Sequence, residues 1–224
     1  MIANTGLLEQ LRATLRPYGA QLIAVSKTKS KEAILEVVAT GQKAFGENYV
    51  QELLDKQALL PTEIEWHFIG HLQTNKVKYI APFIHCIHSI DSQRLLVEID
   101  KQAMKFGRII PCLLQVHIAR EETKFGLSFD EARAILDDPK TTLLKHVRII
   151  GCMGMASNTD SAEIVRKEFR ELKSFLDAVS ISHPDMVELS MGMSSDYKLA
   201  LEEGSTMIRI GSSIFGERSY SPVP

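Results

Sequence analysis

The stretch Leu22-Ile23-Ala24-Val25-Ser26-Lys27-Thr28 is an apolar run that ends in a lysine, and a helix-like segment follows it from Ser30. Such a run predicts a buried strand with Lys27 at its carboxyl end. In parallel α/β sheets the carboxyl ends of the strands face the active site. A lysine at the mouth of a water-poor barrel is partly desolvated, which favours the neutral amine that attacks carbonyl groups.

Seven further apolar runs alternate with helix-like segments after this first strand. The strands are predicted at residues 21–27, 43–48, 65–70, 86–90, 110–118, 147–153, 186–190 and 207–210. The helices are predicted at residues 5–17, 30–39, 50–60, 74–83, 92–106, 129–136, 162–179 and 196–203. In the second of these helices, Ile34, Leu35 and Val38 are expected to face inward. The sequence Ser-Phe-Asp-Glu from Ser128 is a capping signature for the sixth.

The regularity of this alternation decides the fold class. Continuous apolar strands indicate a parallel sheet that is buried on both faces. Eight βα units close such a sheet into a barrel. The sequence therefore predicts an α/β fold, a single-domain (β/α)8 TIM barrel over residues 1–224 with an extra N-terminal helix. A doubly wound open sheet is the alternative.

Composition and charge exclude several classes of protein. The 224 residues are 45% hydrophobic and 24% charged, which is typical of a globular chain. The net charge of -2 offers no electrostatic attraction to nucleic acid or to an anionic membrane. No apolar run is long enough to span a bilayer, and the first ten residues lack the features of a secretory signal. A cytoplasmic chain is expected, with Cys86, Cys112 and Cys152 as buried free thiols.

The loops after the last two strands combine glycines with hydroxyl groups. They are residues 190–195 and 209–213, and the segment from Ser194 is expected to open a helix. In barrels, these two loops often bind phosphate through backbone N–H groups and hydroxyls. Together with Lys27 they indicate a ligand that carries both a phosphate and a carbonyl group. Either a sugar phosphate in a Schiff-base aldolase or pyridoxal 5'-phosphate (PLP) has this chemistry.

Arg209 has two interpretations at this point. It could form a salt bridge at the edge of the core. If it lies over PLP instead, its permanent charge keeps the pyridine nitrogen unprotonated, which makes the ring a weak electron sink.

Several motifs together resemble one protein family. They are AVSKTK at 24–29, FGENYVQE at 45–52, HFIGHLQTNK at 67–76, KFG at 124–126, LSMGMS at 189–194, IRIG at 208–211 and FG at 215–216. In this order and over nearly the whole chain, they resemble the pyridoxal phosphate homeostasis proteins, single-domain relatives of the alanine racemase N-terminal barrel. The match is looser around Met155, so its role stays open.

The resemblance implies that PLP is the cofactor and that eight residues bind it. They are Lys27, Asn48, His71, Met193, Ser194, Arg209, Gly211 and Ser212. Lys27 would carry PLP as an internal aldimine, and Ser194, Gly211 and Ser212 would hold its phosphate. Arg209 would face the pyridine nitrogen and Asn48 the ring. His71 and Met193 would line the pocket.

The resemblance also bears on whether the chain is an enzyme. Alanine racemases use two acid–base groups, the cofactor lysine and a tyrosine from a second domain, and this chain ends shortly after its eighth strand. We therefore expect a non-enzymatic carrier that serves PLP homeostasis and affects amino- and keto-acid balance indirectly. A slow racemase or decarboxylase with Lys27 as its only base is the alternative. PLP and PLP-dependent apo-enzymes are the expected partners of a monomeric chain.

The other polar residues suggest less specific roles. The pairs His67/His71 and His85/His88 have no carboxylate or cysteine to complete them in sequence, so no metal site is predicted. Glu47 and Glu52 could act as acid–base groups, but binding of basic neighbours is favoured. Lys124 could reach the barrel mouth or lie on the surface.

Overall fold

Eight parallel strands form a closed barrel in sequential order. The computed structural model describes residues 3–121 and 125–216. The strands are Gln21–Val25 (β1), Ala44–Glu47 (β2), Glu65–Phe68 (β3), Cys86–Ile90 (β4), Ile110–Gln115 (β5), Val147–Met153 (β6), Glu188–Ser190 (β7) and Met207–Ile210 (β8). The pairing of β1 with β8, from Gln21↔Met207 to Ala24↔Ile210, closes the barrel. The predicted barrel is confirmed, and the open doubly wound sheet is excluded.

Helices follow the strands and cover the outside of the barrel. They are Thr5–Leu15 (α1), Lys31–Val38 (α2), Val50–Leu59 (α3), Val77–Ile80 (α4), Gln93–Lys105 (α5), Phe129–Asp137 (α6), Pro139–Thr142 (α7), Ala162–Ser180 (α8), Tyr197–Glu202 (α9) and Ser212–Phe215 (α10). The extra N-terminal helix is confirmed as α1, and the capping box of Ser128 and Glu131 is confirmed at the start of α6. None of the helices in the described residues has the length and apolarity needed to span a bilayer.

Some predicted boundaries are wrong for identifiable reasons. Strand β5 ends at Gln115 rather than Ile118, because Val116 forms an isolated bridge to Leu127 and the chain leaves the sheet there. The helix predicted at 74–83 is a 3₁₀ turn, Thr74–Lys76, followed by the short α4. In α2 the buried residues are Ala33, Ile34 and Val37, whereas Leu35 is 41% exposed. Successive residues are rotated by about 100° around a helix, so Leu35 falls on the outer face.

Alternation along the strands sends two sets of side chains to opposite faces. Residues such as Leu22 and Ala24 join the main core between strands and helices, whereas Ile23 belongs to a separate smaller cluster with Cys86, Leu113, Met153 and Met207. This smaller cluster fills the barrel interior. In β8, Ile208 and Ile210 belong to the main core, so Arg209 projects inward between them. The fold thereby places a guanidinium inside the barrel.

Candidate functional site

A cavity of about 390 Å³ lies at the carboxyl end of the barrel. Residues from the loops after β1, β2, β3, β6, β7 and β8 line it. Seven of the eight predicted site residues are among them, namely Lys27, Asn48, Met193, Ser194, Arg209, Gly211 and Ser212. The cavity has the size of a small-molecule site. The strand-end residues that are far apart in sequence thus surround one volume.

His71 is the exception among the predicted site residues. It is not among the residues that line the cavity. Its Nδ1 lies 3.0 Å from an Asp91 carboxylate oxygen, and its ring stacks on Phe125 with ring centroids 5.1 Å apart. The segment after β3 therefore turns His71 towards the loops after β4 and β5, away from β8. Lys124, the neighbour of Phe125 in the KFG motif, lies outside the described residues.

The loops after β7 and β8 meet at two hydroxyl groups. The Oγ atoms of Ser194 and Ser212 are 3.1 Å apart, and both residues line the cavity. Gly192 allows the first loop to turn, since its φ is +95° and a Cβ there would lie 2.6 Å from Ala200 Cβ. Helix α9 begins at Tyr197, three residues after the predicted opening at Ser194. The site therefore offers hydroxyl donors to a phosphate.

The guanidinium of Arg209 is held by neutral oxygens. Its Nη1 donates to Ser190 O at 2.7 Å and to Ser190 Oγ at 2.6 Å, and its Nη2 donates to Gly154 O at 3.0 Å. Burial lowers the pKa of Arg209 to about 10, so the group stays cationic at neutral pH. These bonds use three of the five N–H groups of a guanidinium. A buried positive charge thus faces the cavity.

A buried ionic network supports the loop that carries Lys27. Lys56 Nζ lies 2.7 Å from each of three oxygens: Glu47 Oε1, Glu52 Oε1 and Ser26 O. Ser26 Oγ also donates to Glu47 Oε1 at 2.6 Å, and the N–H of Thr28 donates to Glu52. The residues on both sides of Lys27 are therefore bonded to the same network. Glu47 and Glu52 bind a basic neighbour, as the sequence analysis favoured.

Burial raises the pKa of Glu47, because desolvation outweighs the attraction of Lys56 and the hydrogen bonds from Lys56 and Ser26. Lys56→Met should therefore leave a buried carboxylate without its cation. We expect the free energy of unfolding to fall by about 3 kcal/mol at neutral pH. The loss should shrink at acidic pH, where Glu47 is protonated.

Chemical denaturation of the unsubstituted protein and of Lys56→Met, at neutral and at acidic pH, measures this loss of the free energy of unfolding. Lys167→Met is the matched control, because Lys167 forms an exposed i,i+4 pair with Glu171 at 3.8 Å. That pair should contribute less than about 0.5 kcal/mol. Equal losses for the two variants would contradict a supporting role for Lys56.

The structure brings histidines from different strands together in groups that the sequence analysis did not consider. His67 on β3 and His88 on β4 lie close together. With Cys86 they form a group whose potential metal-binding atoms lie within 4.8 Å of one another. A second such group joins His67 with Glu65 and His85. Neither group contains the pair His67/His71 or the pair His85/His88, so the expectation that those pairs form no metal site stays a prediction. The pairs were sought within single segments, whereas the groups form between neighbouring strands.

Other lining residues were missed or left open. Met155, whose role the looser motif left open, also lines the cavity. Lys29 also lines it and donates to Phe215 O at 3.1 Å and to Gly216 O at 2.9 Å. Lys29 belongs to the AVSKTK motif, so its position two residues after Lys27 was the available signal.

Comparison with known proteins gives concordant matches over most of the chain. The model of the family "Alanine racemase, N-terminal domain" matches residues 7–219. A pyridoxal phosphate homeostasis protein of Aquifex aeolicus is 41% identical over 203 residues, which cover 90% of this chain and 88% of the relative. PipY of Synechococcus elongatus without PLP has a TM-score of 0.87 at 39% identity, over 93% of this chain and 98% of PipY. PipY with PLP bound has a TM-score of 0.84 over the same shares.

Proposed function

Because this chain belongs to the pyridoxal phosphate homeostasis protein family, we propose that it binds PLP and carries it covalently on Lys27. It serves intracellular PLP homeostasis as a carrier, with indirect effects on amino- and keto-acid balance. One observation carries the proposal: a single cavity brings together an amine, a pair of serine hydroxyls and a buried cation. These groups match the aldehyde, the phosphate and the pyridine nitrogen of PLP.

The residues of the cavity fit such a ligand in a further respect. Asn48 Oδ1 is buried and has no hydrogen-bond partner in the described part of the chain. A buried polar atom without a partner is costly, and a ligand in the cavity can supply one. At Gly211 a Cβ would lie 3.1 Å from Val25 O and 3.3 Å from Val25 Cβ. Glycine therefore lets the loop after β8 approach β1 closely.

Each group has a distinct task in this proposal. Lys27 Nζ would hold PLP covalently through its aldehyde carbon, with the aldehyde oxygen leaving as water. Ser194 and Ser212 donate hydrogen bonds to the phosphate. Arg209 would face the pyridine nitrogen, and its positive charge would keep that nitrogen unprotonated. Bound PLP supplies a reactive aldehyde and a ring that can delocalise electrons.

The ionisable groups of the cavity favour a carrier over a racemase. Among the described residues that line it, these groups are Lys27, Lys29 and Arg209, all of them basic. Racemisation needs an acid–base group on each face of the substrate. Arg209 also makes the ring a weak electron sink. A slow racemase that uses Lys27 as its only base is the alternative enzymatic function.

Two assays on the PLP-loaded protein test the proposal. We expect cofactor transfer to the apo form of a PLP-dependent enzyme, and no sustained amino-acid racemisation at high protein concentration. Free PLP at equal concentration is the reference for transfer. Racemisation at enzyme-like rates, or failure of PLP to bind at all, would contradict the proposal.

A further inference from the structure

A chain of buried polar groups continues below Arg209 into the barrel. Ser190 Oγ, which accepts a hydrogen bond from Arg209, lies 3.0 Å from His88 Nδ1. His88 Nε2 in turn lies 2.8 Å from His67 Nδ1. All four residues are at most 5% exposed. They come from β3, β4, β7 and β8, so the chain of groups crosses the barrel interior from β8 to β3.

The direction of the hydrogen bonds follows from donor chemistry. A guanidinium only donates, so Ser190 Oγ must accept from Arg209. The Ser190 hydroxyl hydrogen then needs an acceptor, and His88 Nδ1 is within reach. If His88 Nδ1 carried the proton instead, both Arg209 and His88 would donate to Ser190 Oγ. The hydroxyl hydrogen of Ser190 would then lose His88 Nδ1 as its acceptor. Because buried polar groups are almost always hydrogen-bonded, the first arrangement is favoured.

We propose that Ser190, His88 and His67 form a directional hydrogen-bond relay that positions Arg209 at the cavity. Ser190 donates to His88 Nδ1, and His88 Nε2–H donates to His67 Nδ1. Both histidines are therefore neutral Nε2–H tautomers. The part of the inference that concerns the cofactor rests on the proposed function, whereas the tautomers belong to the protein alone.

The surroundings of the relay are consistent with neutral rings. Burial lowers the pKa of His67 to about 3, and the pKa of His88 lies well below its ordinary value, chiefly through burial and then through His67, Arg209 and His85. His67 Nε2 is buried without a partner in the described residues, and Glu65 offers a carboxylate oxygen within 4.8 Å of a His67 ligand atom.

The relay explains how the buried cation is oriented without an ion pair to any of the described residues. Within that part of the chain, the hydrogen-bond partners of Arg209 are Ser190 and Gly154, both uncharged. A carboxylate partner would neutralise the guanidinium locally. The charge of Asp196 raises the pKa of Arg209, but burial has the larger effect and lowers it. The neutral relay fixes the geometry of Arg209 and leaves its positive charge for the ligand. Ser190 and His88 are thus positioning residues.

The first experiment uses the protein without PLP. Long-range ¹H–¹⁵N spectra of the histidine rings, assigned with His67→Gln and His88→Gln, are expected to show both residues as Nε2–H tautomers. Ser190→Ala should remove the single-tautomer pattern of His88. Ser205→Ala is the matched control, because Ser205 is a buried serine whose Oγ lies within hydrogen-bond distance of the carbonyl oxygens of Leu189, Met191 and Met207. A proton on His88 Nδ1 in the unsubstituted protein would overturn the proposal.

The second experiment measures positioning of Arg209. Pyridoxine 5'-phosphate has the ring and phosphate of PLP but no aldehyde, so its binding excludes the covalent bond to Lys27. We expect Ser190→Ala to weaken this binding about ten-fold, the usual loss for a hydrogen bond to a charged group. Ser190→Thr keeps the hydroxyl and should retain the affinity, as should Ser205→Ala.

The outcomes separate the two proposals. Unchanged affinity in Ser190→Ala would overturn the positioning role, even with PLP bound normally to the unsubstituted protein. If neither PLP nor pyridoxine 5'-phosphate binds the unsubstituted protein, the proposed function fails. The tautomer pattern would then still decide whether the relay exists. If Ser190→Ala does not fold, weaker binding in Ser190→Thr than in Ser205→Ala would contradict the relay.

Discussion

Lys27→Ala is expected to abolish the visible absorbance of the PLP-loaded protein while part of the non-covalent binding persists. The imine bond requires a primary amine at the aldehyde, and alanine removes it. Ser194, Ser212 and Arg209 remain to hold the phosphate and the ring. Absorbance before dialysis measures the loss of the imine band. Absorbance after dialysis measures the residual non-covalent binding, since cofactor without a covalent bond should be lost slowly but completely.

Lys31→Ala is the matched control for this substitution. Lys31 begins α2 four residues after Lys27, and its side chain is 56% exposed. The Lys31 variant should keep the absorbance band and its resistance to dialysis. A band of full intensity in Lys27→Ala would show that another amine carries the cofactor.

Acidification from pH 6.5 to pH 4.5 is expected to lower the free energy of unfolding by about 5 kcal/mol through the two buried histidines. Burial lowers the pKa of His67 to about 3 and that of His88 well below its ordinary value, so both stay neutral in the folded protein. The unfolded chain protonates them below about pH 6.5. The unfolded state then binds more protons, and stability is lost as the pH falls.

Urea denaturation at several pH values measures this dependence. Glu47 opposes this loss of stability on acidification. Its pKa is raised in the folded state, so its protonation stabilises the folded protein as the pH falls. Because His67 is one of the two buried histidines, His67→Gln should reduce by about half the histidine-dependent loss of the free energy of unfolding between pH 6.5 and 4.5. His183→Gln, at a partly exposed histidine beside Asp137, should retain the slope. A slope that His67→Gln leaves unchanged would contradict a neutral buried His67.

The amino-acid sequence predicted the barrel because its strands are buried on both faces. Strands β4, β6 and β8 have the predicted bounds, since their apolar runs are sharply limited by polar residues or glycine. The meeting of the strand-end residues follows from the same pattern of eight apolar strands. Once eight parallel strands are known, their carboxyl ends must meet, and Lys27, Arg209 and Ser212 meet with them.

The interior relay could not be predicted from local sequence. His67 and His88 are 21 positions apart, and Ser190 is 102 positions from His88. Whether such residues touch depends on the register between strands, and strands that are apolar on both faces lack the alternation that would specify this register. The same limit applies to Lys56. Its i,i+4 spacing from Glu52 is visible in the sequence, but its burial beneath the Lys27 loop depends on how α3 packs on the barrel.

The most direct test of the central claim is borohydride reduction of the PLP-loaded protein, followed by peptide mapping. Reduction converts the imine into a stable secondary amine and marks the lysine that carries the cofactor. The map should place one phosphopyridoxyl group on Lys27. A label on Lys29 or Lys56 instead, or no label after loading with excess PLP, would contradict the claim that Lys27 is the attachment site.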